Sequence, residues 1–327
     1  MAVSLSISNS STYTMKKEVF SIIKSCAFIA LIVFVLDFIV GRVFDNMIKK
    51  LPSEGERVAK SYYAFHKVDA DIVIIGSSRA ETTYDCEIIM DSLPGYMAFN
   101  CGGDGQAFFY CNTLINTILD RYTPRCIVWD VSVWETGGGN YEDLSLVYPF
   151  YKENNNVRKT IDEIEGSTIK YKLLFNSYRF NATAGRILRA FFFTSTSNGS
   201  VLGFWPRKSV DNSRMLVPKD FVISDDSFYN ENKINCISET LERANSLGCK
   251  VVMVISPMYN DYNQDNKHSR KMAELCQLYN AFFVDDSHLD GFVHNHEYAY
   301  DRVHVKDKGA KVFSEIFAHQ LSAILDQ

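Results

Sequence analysis

Residues 71–80 read Asp71-Ile72-Val73-Ile74-Ile75-Gly76-Ser77-Ser78-Arg79-Ala80, and this stretch decides the fold. Ile72–Ile75 is a β-branched apolar run without alternation, the pattern of a strand buried on both faces of a parallel sheet. Gly76 ends it, and a helix-compatible segment begins near Ala80. In open α/β sheets ligands bind outside the carboxyl ends of the strands, and backbone N–H groups at a helix start there can face an anion. A serine so placed needs a base to become a nucleophile. One candidate stands far along the chain, in Asp301-Arg302-Val303-His304.

The same pattern recurs outward from this stretch. Short apolar runs at 97–99, 126–131, 251–255 and 282–284 read as further strands. Helix-compatible segments at 84–93, 106–120, 231–247 and 268–279 lie between them, and 308–325 closes the chain. Strands alternating with helices predict a three-layer α/β/α domain with a central, mostly parallel sheet. Residues 138–225 break the rhythm. They hold helix-like pieces at 157–165 and 168–190 and a Gly/Ser/Pro-rich region at 196–207. They read as an insertion into a domain spanning 69–327. The insertion follows a strand that ends at Val131, so it is expected to cover the mouth of the site.

Ahead of the domain, residues 1–18 are rich in Ser and Thr and read as a disordered tail. Residues 19–41 are strongly apolar, interrupted by Lys24 and Asp37 near opposite ends. As a helix they would measure about 34 Å, enough for a hydrocarbon core of about 30 Å. No small-x-small cleavage site follows, so an uncleaved anchor is the reading, with a buried soluble helix as the alternative. Lys16, Lys17 and Lys24 precede the segment; Arg42, Lys49 and Lys50 follow it. Charge therefore does not choose an orientation. Residues 42–68 read as a polar linker with Pro52 and Gly55.

The net charge of -5 argues against nucleic-acid binding. The eight Cys include no CxxC pair, which speaks against a zinc ribbon or a thioredoxin site. Cys126 and Cys249, at strand starts, read as small hydrophobes. No GxGxxG follows the first strand, as a dinucleotide site would need. A G-x-S-x-G elbow fails at Ala80.

Three loops should meet above the sheet: 76–79, 100–105 and 301–304. Ser78 as nucleophile, His304 as base and Asp301 as its orienting partner make a complete set. Gly102, Gly103 and Gly105 would let backbone N–H groups approach an oxyanion. Each part also has a bland reading. Ser in this turn can be a helix N-cap, Arg79 an ion-pair partner, and the glycines a tight turn. His288, His294, His296 and His304 crowd together near Asp285, Asp286 and Asp290, which raises a metal site as rival chemistry. Their spacing lacks a helical HExxH. The serine reading needs no metal and no cofactor.

Taken in order, these blocks resemble the SGNH hydrolases, the GDSL-type esterases and acyl-transfer enzymes. Gly76-Ser77-Ser78 is similar to the family's Gly-Asp-Ser block, with Ser77 in place of Asp. Asn100 to Gly105 looks like its second block. Asp301 and His304, followed by Lys308-Gly309-Ala310, look like its last. The third block departs: the family offers an Asn after the third strand, where this chain has Asp130-Val131-Ser132-Val133-Trp134. The resemblance implies an SGNH/flavodoxin-like fold and catalysis by Ser78, Asp301 and His304. It implies oxyanion or substrate contacts from Asn100 and Gly105, with Ser132 or Trp134 standing in for the missing Asn. It also implies an acylated cell-surface glycan or acyl donor as substrate, an extracytoplasmic domain held by the N-terminal helix as in bacterial polysaccharide-modifying proteins, and possible membrane partner proteins. The alternative is a non-catalytic glycan-binding or scaffolding component of a surface-polysaccharide assembly.

Overall fold

The computed structural model describes residues 4–54, 56–166, 168–193, 201–208 and 216–327, with side chains from residue 15 onward. Part of the 196–207 region, residues 196–200, therefore lies outside the described residues.

The apolar runs become strands β1 (Ile72–Ile75), β2 (Ala98–Asn100), β3 (Cys126–Asp130), β4 (Lys250–Ile255) and β5 (Phe282–Asp285) of one parallel sheet, ordered β2-β1-β3-β4-β5. Ile72 pairs with both Ala98 and Cys126, and Ile75 with Trp129. The expected three-layer parallel architecture is what forms, with the strand order of flavodoxin-type sheets. The chain moves outward one way from β1 to β2, then returns to β3 on the other side. That reversal between β1 and β3 opens a crevice at their carboxyl ends.

Alternate strand residues serve opposite layers. Val73, Ile75, Ile127, Trp129 and Met253 join the core built with α2 (Arg57–His66), α5 (Phe108–Arg121), α10 (Glu231–Ser246) and α11 (Lys267–Leu278). Ile72, Ile74, Val128 and Val252 join the core of α4 (Cys86–Ser92) and α12 (Asp307–Leu325), beside the short α3 (Ser78–Thr83). Cys126 and Cys249 are buried free thiols, and burial pushes the Cys249 pKa up to about 12.

The N-terminal region differs from the sequence expectation at both ends. One helix, α1, runs Ser4–Lys50, so it takes in most of the stretch read as a tail and the start of the stretch read as a linker. Ser and Thr weaken a helix only modestly, and no Gly or Pro stops this one before Pro52 apart from Gly41. Within the rest of the expected linker, Arg57–His66 is a core helix, and Gly55 lies outside the described residues. In α2, Val58, Ala59 and Phe65 are buried, and so is Lys60, whose Nζ donates to Glu81 Oε1 at 3.3 Å and to the Gly203 carbonyl at 2.6 Å. Polar composition suggested a linker, but an apolar stripe and one paired lysine make it a helix of the inner layer. Met15–Lys50 is long and apolar enough to cross a membrane, and its most apolar window has no buried residue.

The insertion forms α6 (Asn155–Ile164), α7 (Ile169–Leu173), α8 (Asn176–Arg179) and α9 (Ala184–Phe192). The expected helix over 168–190 is broken twice. Asp37 of α1 captures the backbone N–H groups of Asn176 and Ser177, both at 2.8 Å, which starts a new helix there. Asn181-Ala182-Thr183 then gives weak helical support. These helices pack around α1, α2 and α5 rather than over the site mouth. Residues 201–204 cover the β2 edge, where Asn100 N–H donates to the Leu202 carbonyl at 2.9 Å. Within 138–225, Gly138 and Phe221 reach the crevice.

Candidate active site

The crevice begins at Gly76. A Cβ there would lie 2.7 Å from Ala80 Cβ and 2.8 Å from the Asp130 carbonyl oxygen, so β1 can turn against the end of β3 only at glycine. Ser77 follows as the N-cap of α3, its Oγ accepting the Arg79 N–H at 3.3 Å. The N-cap reading of the Ser pair thus falls to Ser77. Ser77 is engaged with the helix, and Ser78 opens the helix with its hydroxyl 2.7 Å from His304 Nε2. His304 Nδ1 lies 2.8 Å from Asp301 Oδ2. The other carboxylate oxygen of Asp301 accepts the backbone N–H groups of Val303 and His304, each at 2.9 Å. The carboxylate therefore shapes the loop that carries His304. Partial burial alone would raise the Asp301 pKa. The hydrogen bond from His304 and those from the two backbone N–H groups outweigh burial and hold it at about 2. An ionised Asp301 at Nδ1 keeps that nitrogen protonated and leaves Nε2 as acceptor for the serine proton.

Ser78 and His304 share a cavity of about 480 Å³ with Ser132, Trp134, Glu135 and Phe221. Trp134 stacks on Phe221 with ring centres 4.8 Å apart, and Phe221 stacks on Tyr262 at 5.5 Å. The Ser132 hydroxyl accepts the Trp134 N–H at 3.2 Å, which leaves its own proton to give. Glu135 accepts the Ser132 N–H at 2.7 Å, and burial pushes its pKa up to about 7 despite that bond and Lys233.

Two expected contributors are placed elsewhere. Asn100 is fully buried; its amide donates to the Ala80 and Tyr84 carbonyls at 2.8 and 3.0 Å, and its oxygen takes the Gly102 N–H at 2.9 Å. It locks the second loop onto α3 and is absent from the cavity wall, as is Gly105, which has φ +74° and stands in open space. Gly102 has a packing role: a Cβ there would come 2.5 Å from the Glu81 nitrogen. Short sequence distance from the site did not translate into access, because the loop closes on itself first.

Arg79 Nη2 donates to the Ser256 carbonyl at 2.6 Å and to the Ser256 hydroxyl at 2.8 Å. Its charge also opposes the burial that raises the Asp130 pKa, and Tyr84 donates to Asp130 at 2.9 Å. This network ties the ends of β1, β3 and β4 beneath the site. A charged residue closing the apolar run of β3 was its sequence signal. Glu135, Lys233 and Phe221 carried no signal, because their approach depends on how the chain returns from the insertion.

The histidine cluster disperses. His294 pairs with Asp220 at 2.8 Å, His288 with Asp261, and His296 Nε2 lies 3.1 Å from the Tyr259 hydroxyl. Among the described residues, no group of three or more His, Cys, Asp or Glu is placed to hold a metal ion.

No protein-family model matches the chain, and no curated protein matches it in sequence. Among solved structures, it is similar to LAE5, an alpha/beta hydrolase enzyme from the metagenome of Lake Arreo, Spain, at 10% identity and a TM-score of 0.41, covering 79% of this chain and 98% of that one. It is similar to Axe2, an acetylxylan esterase from Geobacillus stearothermophilus, at 8% identity and TM-score 0.40, over 76% and 93% of the two chains. It is also similar to a GDSL-like lipase from Bacteroides thetaiotaomicron at 12% identity and TM-score 0.36, over 83% and 98%. Likenesses this faint transfer no residue roles.

Proposed function

We propose that the chain is a serine esterase or O-acyltransferase working through an acyl-Ser78 intermediate. The observation that carries this is the unbroken relay from Ser78 Oγ to His304 Nε2 at 2.7 Å and from His304 Nδ1 to Asp301 at 2.8 Å. In this reading His304 takes the serine proton as Oγ attacks an ester carbonyl. It then returns the proton to the departing alkoxide. The acyl group leaves Ser78 when water or a sugar hydroxyl attacks, again with His304 as base. Asp301 stabilises the transient imidazolium.

The Trp134–Phe221 pair supports a carbohydrate substrate, since a flat aromatic face at a cavity wall matches the apolar face of a sugar ring. Trp134 is 45% exposed, as a stacking platform must be. The Ser132 hydroxyl is the candidate oxyanion donor in place of the absent Asn. An acylated surface glycan, met by a domain held outside the cytoplasm on α1, is the substrate class that fits both the aromatic wall and the apolar helix. A second reading, a non-catalytic glycan-binding or scaffolding protein, draws on one observation: neither Asn100 nor Gly105 reaches the cavity wall.

Covalent labelling of the detergent-solubilised full chain by a fluorophosphonate probe, together with turnover of a small acetyl ester, separates the two. The esterase reading expects both, and expects both to vanish in Ser78→Ala. A folded wild-type chain that neither labels nor turns over any ester leaves the binding reading.

A further inference from the structure

The lower part of α1 is docked on the insertion, and the docking has a direction. Asp45 pairs with Arg179 at 3.2 Å, and Phe44 stacks on Phe180 at 5.2 Å. Higher up, the Asp37 carboxylate accepts the N–H groups of Asn176 and Ser177, and Gly41 lies against Asn176, where a Cβ would sit 2.4 Å from Cγ. Going back along the chain from residue 180 to 176 therefore climbs α1 from residue 45 to residue 37. That is about 12 Å towards the apolar stretch at 1.5 Å per residue. Leu174 and Phe175 directly precede the residues that Asp37 holds, and are themselves 63% and 52% exposed. Their backbone is held in place, because Lys152 Nζ donates to the Leu174 carbonyl at 2.8 Å and to Asn176 Oδ1 at 3.0 Å. Just before them stand Lys170, Tyr171 and Lys172, with Tyr171 63% exposed.

We propose that this α7–α8 corner is a lipid-docking surface. Leu174 and Phe175 enter the hydrocarbon edge of the bilayer, and Lys170, Tyr171 and Lys172 lie among its headgroups. The inference rests on α1 being a membrane anchor. If it is, a helix-bound corner that reaches the level of Asp37 is at the bilayer boundary by geometry. Apolar tips below a basic and aromatic fringe are the chemistry of an anionic lipid surface. A protein partner would be expected to bury the lysines as well, whereas lipid needs them at the headgroups. The corner would hold the catalytic domain at a fixed height and tilt instead of letting it swing on one helix.

The test uses the full chain in vesicles of phosphatidylethanolamine and phosphatidylglycerol, with a photoreactive residue at one site at a time: Phe175→benzoylphenylalanine, Phe34→benzoylphenylalanine in the apolar stretch, and Phe228→benzoylphenylalanine, which is 90% exposed on the catalytic domain. Circular dichroism checks that each variant is folded. Lipid adducts at 175 and 34, several-fold above those at 228, support the proposal. Adducts at 34 with none at 175 overturn the corner and leave the anchor standing. Adducts at neither overturn both. A protein adduct at 175, with a second copy, also overturns the lipid assignment.

Discussion

Asp301 does two jobs with one carboxylate, orienting His304 and closing the loop on which it rides, so its substitution separates orientation from proton transfer. His304→Ala should cut ester turnover by about 10⁴-fold or more, since among the described residues His304 is the base hydrogen-bonded to the Ser78 hydroxyl. Asp301→Asn should cost less, because the imidazole still presents an unprotonated Nε2 to the serine for part of the time. Steady-state rates on an acetyl ester check the order; a larger loss for Asp301→Asn would mean that the loop, not the tautomer, is what Asp301 protects. Ser77→Ala removes only the cap of α3, at about 1 kcal/mol, and should keep fluorophosphonate labelling. With the Asp301 pKa held at about 2, its contribution to stability is complete above pH 4 and fades as the pH falls towards 2. Glu135 has the opposite sign. Its folded pKa, raised by burial to about 7, means that stability falls as pH rises from about 4.5 to 7, by up to roughly 3 kcal/mol. Glu135→Gln keeps the acceptor for the Ser132 N–H and removes the titration. It should therefore be more stable than wild type in denaturant melts at pH 8 and equal to it at pH 4, and equal melts at both would show that Glu135 does not carry the shift.

Among the elements, legibility followed the range of the forces. The five strands could be read because each is an apolar run flanked by Gly, Asn or charge. The Ser78, Asp301 and His304 loops could be read because each hangs directly on a strand or helix end. What could not be read depends on partners distant in sequence. Helix α5 begins at Phe108 with no side-chain cap of its own; the buried Glu142 supplies one from the insertion, accepting the Ala107, Phe109 and Tyr110 N–H groups at 3.1, 2.6 and 3.1 Å. Nothing local marks residue 142 for that task. Glu142→Ala should leave three donors without their acceptor and cost on the order of 2–4 kcal/mol. Chemical denaturation measures it; a loss under 0.5 kcal/mol would mean that water replaces the carboxylate. In α2, Lys60 reads as a linker charge until Glu81 is seen opposite it. Since breaking one side of a buried pair strands the other, Lys60→Met alone should destabilise by about 3–5 kcal/mol, and Lys60→Met with Glu81→Leu by distinctly less.

For the molecule as a whole, the insertion's position is the largest departure from expectation. It was expected over the crevice, yet its helices gather around α1 and the inner layer, and Phe221 and Gly138 alone of its described residues line the cavity. The reason lies in Asp37. An acid in an apolar stretch is costly unless it is paired, and here it is satisfied by the N-terminus of α8, including the Asn176 amide at 3.1 Å. The insertion is thus the piece that makes α1 part of the domain rather than a tether. The orientation left open by the flanking charges has its own test: a reporter active only outside the cytoplasm, fused after Gln327, should be active, and activity of a cytoplasmic reporter instead would reverse the topology. Asp37→Leu tests the docking. It suits a membrane helix better than Asp does, so the chain should stay in the membrane fraction. The N–H groups of Asn176 and Ser177, however, lose charge-assisted hydrogen bonds worth about 1.5–3 kcal/mol each. Hydrogen exchange at 174–180 should then quicken by about 10- to 100-fold while exchange in β1 and β3 is unchanged. Unaltered protection at 174–180 would show that the Arg179–Asp45 and Phe180–Phe44 contacts hold the helix alone, and that Asp37 is retained for another reason.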